Sequence, residues 1–165
     1  MKYQHITHES IPPFVNNESE VLILGSLPSI ASRDQGFFYA HPQNRFFKAL
    51  AGVFNEKEPV DVSDRKSFLN CHKIALYDVI YECDIIGSSD STIKNVVAID
   101  LKGLLHAYPN IKKIFTTGKK AKGLYDKYLK DSVNIDAIPL PSSSAANANM
   151  DLKKLIEEYR IILEK

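Results

Sequence analysis

Residues 36–47, GFFYAHPQNRFF, gather aromatic rings, a histidine, two amides and an arginine around one proline. Such a segment suits a pocket that holds a flat ring between side chains able to hydrogen-bond its edge. Taken alone, Tyr39 reads as a core aromatic and His41 as a satisfied structural histidine. A second candidate lies just upstream, Gly25, Ser26, Leu27, Pro28 and Ser29, where Gly and Pro make a plain strand-to-helix turn the default reading. The third is LPSSSAAN, residues 140–147. Ser142, Ser143 and Ser144 could clamp phosphates through their hydroxyls and successive backbone N–H groups, although serine clusters are more often solvated loops.

What decides among these readings is where the surrounding elements put the motifs. Apolar runs at residues 21–24, 73–79, 114–117 and 135–140 read as buried strands, each stopped by Gly, Pro or a polar residue. Helical patterns fill the intervals at 45–54, 64–70, 101–108 and 119–129, and a last one spans 151–163 with Leu152, Leu155, Ile156, Tyr159, Ile162 and Leu163 on one face. Strands alternating with helices predict a three-layer α/β/α fold around a central four-stranded, mainly parallel sheet. Parallel strands end on one edge. Gly25 to Ser29, Asp78, Gly118 with Lys119, and Pro141 to Ser144 all follow those ends, and open α/β sheets bind ligands in the crevice beyond them.

Composition adds bounds. With 165 residues, 44% of them hydrophobic, the chain reads as a single domain over residues 1–165. The start MKYQHITHES has neither a basic n-region nor an apolar core, and no apolar run approaches the ~20 residues of a bilayer crossing, so a cytoplasmic protein without membrane contact is expected. Cys71 and Cys83 lack CxxC spacing and read as core thiols; no metal motif and no cofactor motif is present. A net charge of +1 advertises no polyanion globally, so any nucleic-acid contact must be local. Lys119, Lys120, Lys122, Lys127 and Lys130 form the one basic stripe. A solvated helix face explains its later members as well as phosphate contact does, while Lys119 stands at a strand exit.

Taken together, GSLPS and AHPQNRFF resemble the paired pocket motifs of mismatch-specific uracil and thymine DNA glycosylases, including the eleven residues between Ser29 and His41. The wording is closest to the hypoxanthine (deoxyinosine) DNA glycosylase branch of the uracil-DNA glycosylase superfamily, where GS-x-PS is followed by GHPQNRF. LPSSSAAN resembles the MPSSSAR segment of the thymine enzymes, TGKKA (117–121) a turn that meets the DNA backbone, and residues 78–93 the superfamily's central segment. The resemblance implies that Tyr39 stacks on an extruded base, that Asp78 contacts the base edge with the amides of Ser26 and Leu27, and that His41 orients the loop. It implies DNA contacts for Ser29, Lys119, Ser142, Ser143, Ser144 and Asn147. Asp84 and Asp90 read as loop or capping carboxylates. Two departures matter. Leu27 stands where relatives carry a water-handling Asn, Asp or Glu, which leaves Asn44 as the implied catalytic residue. Ala146 replaces the arginine wedge of the thymine enzymes, leaving a smaller plug or a neighbour such as Asn147 or Asn149. The lack of a cysteine cluster excludes the iron–sulfur branches.

The implied reaction is hydrolysis of an N-glycosidic bond through an oxocarbenium-like sugar, with the nucleotide flipped and water held against C1′. Hypoxanthine presents an N1–H donor beside an O6 acceptor, the inverse of adenine, and uracil shows the same polarity through N3–H and its carbonyls. Polarity therefore does not separate the two bases, and only pocket size or the motif wording GSLPS and AHPQNRFF favours the purine. The expected partner is DNA carrying a deaminated base, bound by a monomer. Two other classes stay open at this point. A non-catalytic nucleotide-binding module lacks GxGxxG and GxxxxGK[ST], and a serine hydrolase using Ser142 and His41 lacks GxSxG.

Overall fold

The computed structural model describes residues 2–164. Along the chain run β1 (Gln4–Thr7), β2 (Val21–Gly25), α1 (Ile30–Gln35), α2 (Phe46–Phe54), α3 (Val62–Cys71), β3 (Ile74–Asp78) and β4 (Ile80–Ile85). Then follow β5 (Lys94–Ala98), α4 (Leu101–Ala107), β6 (Lys113–Thr117), α5 (Gly118–Tyr128), α6 (Lys130–Val133), β7 (Ile138–Leu140) and α7 (Leu152–Tyr159). Short 3-10 turns occupy Asp90–Thr92 and Arg160–Leu163.

The four anticipated strands form one sheet in the order β3-β2-β6-β7, with every neighbouring pair parallel. Leu22, Ile23 and Leu24 are fully buried because helices cover both faces of the sheet, which is why this strand reads as an unbroken apolar run rather than an alternating one. Aspartates start three of the helices. Asp61, Asp100 and Asp151 accept from the backbone N–H of Asp64, Gly103 and Lys154, satisfying donors that the first turn leaves unpaired. The final helix pattern divides: α7 ends at Tyr159 and a 3-10 turn carries the chain to Leu163.

The structure adds a second sheet that the sequence pattern did not announce, an antiparallel β1-β4-β5. Its strands are short, mix buried, half-buried and exposed positions, and pair across long separations, Gln4 with Ile85 for example, so no local run signals them. The two sheets meet where β3 turns into β4: Val79 N–H donates to the Gly25 carbonyl at 2.8 Å and Ile80 N–H to that of Ser26 at 3.1 Å. Asp84 is therefore a strand residue, not a loop or cap; its carboxylate lies 2.8 Å from His5 Nδ1 and accepts from Asn95 Nδ2 at 2.8 Å. Asp90 begins the 3-10 turn instead. The turn after β2 leads into a helix, α1, to which no helical pattern was assigned. Ser29 caps it by accepting from Ser32 N–H, and Gly36 closes it at φ 72°.

Candidate active site

The carboxyl edge of the parallel sheet opens into a cavity of about 340 Å³. Its walls come from the turn after β2, from Tyr39 and Asn44, from Asp78, from the β6–α5 junction and from the serine loop after β7. These are the four strand exits expected to converge there.

Asp78, 5% exposed, forms the floor. A Cβ on Gly25 would collide with its Oδ1 and come within 3.5 Å of the Tyr39 hydroxyl, so only glycine lets β2 pass this close. Asp78 Oδ2 lies 2.7 Å from His8 Nε2, and the other nitrogen of that ring, Nδ1, donates to the Ile11 carbonyl at 2.6 Å. Burial pulls the His8 pKa down, but the hydrogen bond to Asp78 and its charge outweigh burial and leave the pKa above the usual 6.5. Asp78 Oδ1 has no hydrogen-bond partner among the described residues. Neither do the N–H groups of Ser26 and Leu27, which line the same cavity. The Leu27 side chain packs on the core. Sequence reasoning missed His8, since nothing in its stretch distinguishes it from His5; only the pairing of β1 with β4 brings it to Asp78.

Tyr39 adopts φ 53°, a left-handed conformation that a bulky residue rarely takes. Two contacts hold it there. Its ring stacks on Phe46 with centroids 3.8 Å apart and planes 11° from parallel, and its hydroxyl hydrogen-bonds that of Thr117 at 3.0 Å. Burial, reinforced by the Asp78 charge, pushes the phenol pKa well above 10, so the group stays neutral.

Asn44 Oδ1 accepts from Phe46 N–H and from the Ser143 hydroxyl, both at 2.9 Å. Because a backbone N–H can only donate, this contact fixes which end of the amide is oxygen. With the carbonyl doubly engaged, the NH₂ group is left as the end without a partner among the described residues, at a residue that lines the cavity. Ser143, 2% exposed, thus sits between the two motifs, not on an outer surface where a phosphate contact was expected. Arg45, also missed, ties them further: its N–H donates to the Ser143 carbonyl at 3.0 Å and its guanidinium to the carbonyls of Ser144, Asn147 and Met150. Tyr159 completes the brace by donating to the Pro141 carbonyl at 2.7 Å.

The remaining expected residues divide between loop and surface. Ser142 and Ser144 hydroxyl oxygens accept from the N–H of Ser144 and Ala146, which leaves each O–H able to donate outward. Asn147 spends its side-chain amide on the Ser142 carbonyl at 3.0 Å. His41, exposed, turns its Nδ1 back to accept from Gln43 N–H at 3.1 Å, and no hydrogen bond joins it to Ser142. Gly118 begins α5 at φ 86° against Ser142, placing Lys119 and Lys120 on the cavity rim. The lysine stripe splits here. Lys122 pairs with Asp126, Lys130 with Asp136, and Lys127 lies over the Tyr128 ring, whereas Lys119 and Lys120 make no ion pair among the described residues.

One cavity thus holds a neutral aromatic, an unpartnered carboxylate oxygen and free backbone N–H groups, with lysines at its mouth. Comparison with known proteins gives that site a family. The profile described as Uracil DNA glycosylase superfamily matches residues 12–164. The chain is 32% identical over 140 residues to a protein of Methanosarcina barkeri named hypoxanthine DNA glycosylase, covering 84% of this chain and 87% of that one. It is 32% identical over 137 residues to a protein of the same name from Methanosarcina acetivorans, covering 82% and 85%. A solution NMR structure from M. acetivorans, provisionally assigned as a uracil DNA glycosylase, superposes with a TM-score of 0.76 at 29% identity, covering 93% of this chain and 97% of the other. The chain belongs to the uracil DNA glycosylase superfamily. It is a DNA glycosylase, a hydrolase of N-glycosidic bonds. Among the described residues, no helix is long and apolar enough to cross a membrane, and no cluster of three His, Cys, Asp or Glu side chains could hold a metal ion.

Proposed function

We propose that this protein excises hypoxanthine from deoxyinosine in DNA, leaving an abasic site. The observation that carries the reading is the unpartnered Asp78 Oδ1 beside the free N–H groups of Ser26 and Leu27. An acceptor next to donors complements the N1–H and O6 of a deaminated purine and mismatches adenine, whose edge has the opposite polarity. Tyr39, backed on one side by Phe46, offers its other face to the flipped base, a contact worth roughly 1–3 kcal/mol. Asn44 holds the attacking water by donating from its NH₂ group, since its carbonyl is committed to Phe46 and Ser143. Water positioned this way keeps a lone pair for C1′, and an oxocarbenium-like sugar demands little further activation. His41 orients its loop. Lys119, Ser29 and the hydroxyls of Ser142 and Ser144 hold the DNA backbone, while Ser143 and Asn147 keep the serine loop in shape for that contact.

The names of the two Methanosarcina relatives favour hypoxanthine over uracil. The same reading takes residues 1–165 as one domain acting as a cytoplasmic monomer on DNA with a deaminated base, without a cofactor. The test is single-turnover incubation with duplexes carrying one deoxyinosine, one deoxyuridine or neither, followed by alkaline scission. Strand cleavage at deoxyinosine, in the presence of chelator, is expected. Cleavage at deoxyuridine alone would transfer the function to uracil, and cleavage at neither would overturn the catalytic reading.

A further inference from the structure

His8 takes no part in the reaction as described above, yet it is 1% exposed and both of its ring nitrogens are engaged. The Ile11 carbonyl can only accept, so Nδ1 carries a hydrogen at every pH at which the fold persists. One variable proton therefore remains, the one between Nε2 and Asp78 Oδ2. We infer that His8 is a positioning residue for base selection, confining that proton to the Oδ2 side so that, while it stays, Asp78 Oδ1 faces the cavity as an acceptor. The inference rests on the base-pocket reading above.

The consequence follows from the symmetry of a carboxyl group. A lone buried aspartic acid can carry its proton on either oxygen, and a hydrogen on Oδ1 would donate to the N1 acceptor of adenine. With His8 in place, a proton on Nε2 or on Oδ2 gives the same face to the cavity. Two rings fix the imidazole: Tyr77 meets it edge-on at 4.7 Å, and Phe38 lies at 6.0 Å. The ionisable neighbours facing the pair are Tyr77, whose burial pushes its pKa up to about 12, and Tyr39, whose burial holds its pKa well above 10. From β4, Tyr81 offers His8 only its backbone carbonyl, which accepts from His8 N–H at 2.7 Å. The proton between Nε2 and Oδ2 is thus the one the geometry leaves free to move. When it leaves at alkaline pH, the Nε2 lone pair opposes Oδ2, and the orientation of Asp78 is lost.

The experiment measures single-turnover excision from deoxyinosine, deoxyuridine and deoxyadenosine duplexes across a pH series, with binding to undamaged DNA and Tm recorded for each variant. Wild type should lose rate on deaminated bases above a midpoint higher than 6.5, the direction in which Asp78 moves His8. His8→Phe keeps a ring without a donor; it should cost about tenfold or more on deaminated bases, narrow the preference over adenine and abolish the alkaline limb. His8→Gln, which keeps an N–H for Oδ2 and cannot titrate, should restore most of the rate with a flat limb. Wild-type rates and pH profile in folded His8→Phe would overturn the inference. So would a uniform loss of Tm, DNA binding and rate that His8→Gln fails to rescue. Should His8→Phe not fold, the His8→Gln profile decides: a flat limb supports the role and a wild-type limb refutes it. A wild-type enzyme that releases uracil but not hypoxanthine, with these same His8 effects, would change the substrate and leave the positioning role standing.

Discussion

On the floor and inner walls of the cavity, Asp78, Tyr39 and Asn44 each have their orientation fixed by protein partners, whereas Lys119 and Lys120 at its mouth stand exposed with no ion pair among the described residues. On the proposed function, the difference follows from what each region reads. A base edge differs from its competitors by the placement of single hydrogens, so the groups that read it must not rotate or exchange roles, and burial makes an unmatched partner costly. Phosphates recur along every strand, so their contacts can be mobile, solvated and weak individually.

The largest expected effect lies on the inner wall. Asn44→Ala should lower the single-turnover excision rate by ~10² or more, with a smaller cost of about 1 kcal/mol in stability from the lost acceptor for Phe46 N–H. Asn44→Asp separates these parts, because one carboxylate oxygen can still accept from Phe46 and Ser143 while the donor is gone. It should hold stability close to wild type and remain slow; full activity in either variant would move the water-holding role elsewhere. Next comes Gly25→Ala, whose new Cβ meets Asp78 Oδ1. Excision should fall about tenfold or more as the carboxylate is displaced, with binding to undamaged DNA unchanged. A wild-type rate would mean that Oδ1 does not read the base. The smallest effect belongs to the rim: Lys119→Ala should leave the excised base unchanged and lower the slope of log affinity against log salt by about one. An unaltered slope, measured by titration at several salt concentrations, would make Lys119 a solvated residue and weaken the contrast between the two regions.

The amino-acid sequence by itself determined the central parallel sheet, the helices α2, α3, α4, α5 and α7 around it and the convergence of four strand exits on one edge. Those features are local: apolar runs, helical periodicity and stop residues specify these elements, and the parallel connections then leave one edge for the loops. The family could be read from Gly25 to Ser29 and from Tyr39 to Phe46, because these residues are close in the chain and act as units. Tertiary structure alone decided how the groups are used. It turned Ser143 inward to Asn44, committed the Asn44 carbonyl and so exposed its NH₂ group, and made Arg45 the tie between motifs 99 residues apart. It also brought His8 to Asp78 across 70 residues through a sheet of short strands with no apolar run. Hydrogen-bond polarity depends on which partner lies within about 3 Å, and partners that distant in sequence leave no periodic trace in it.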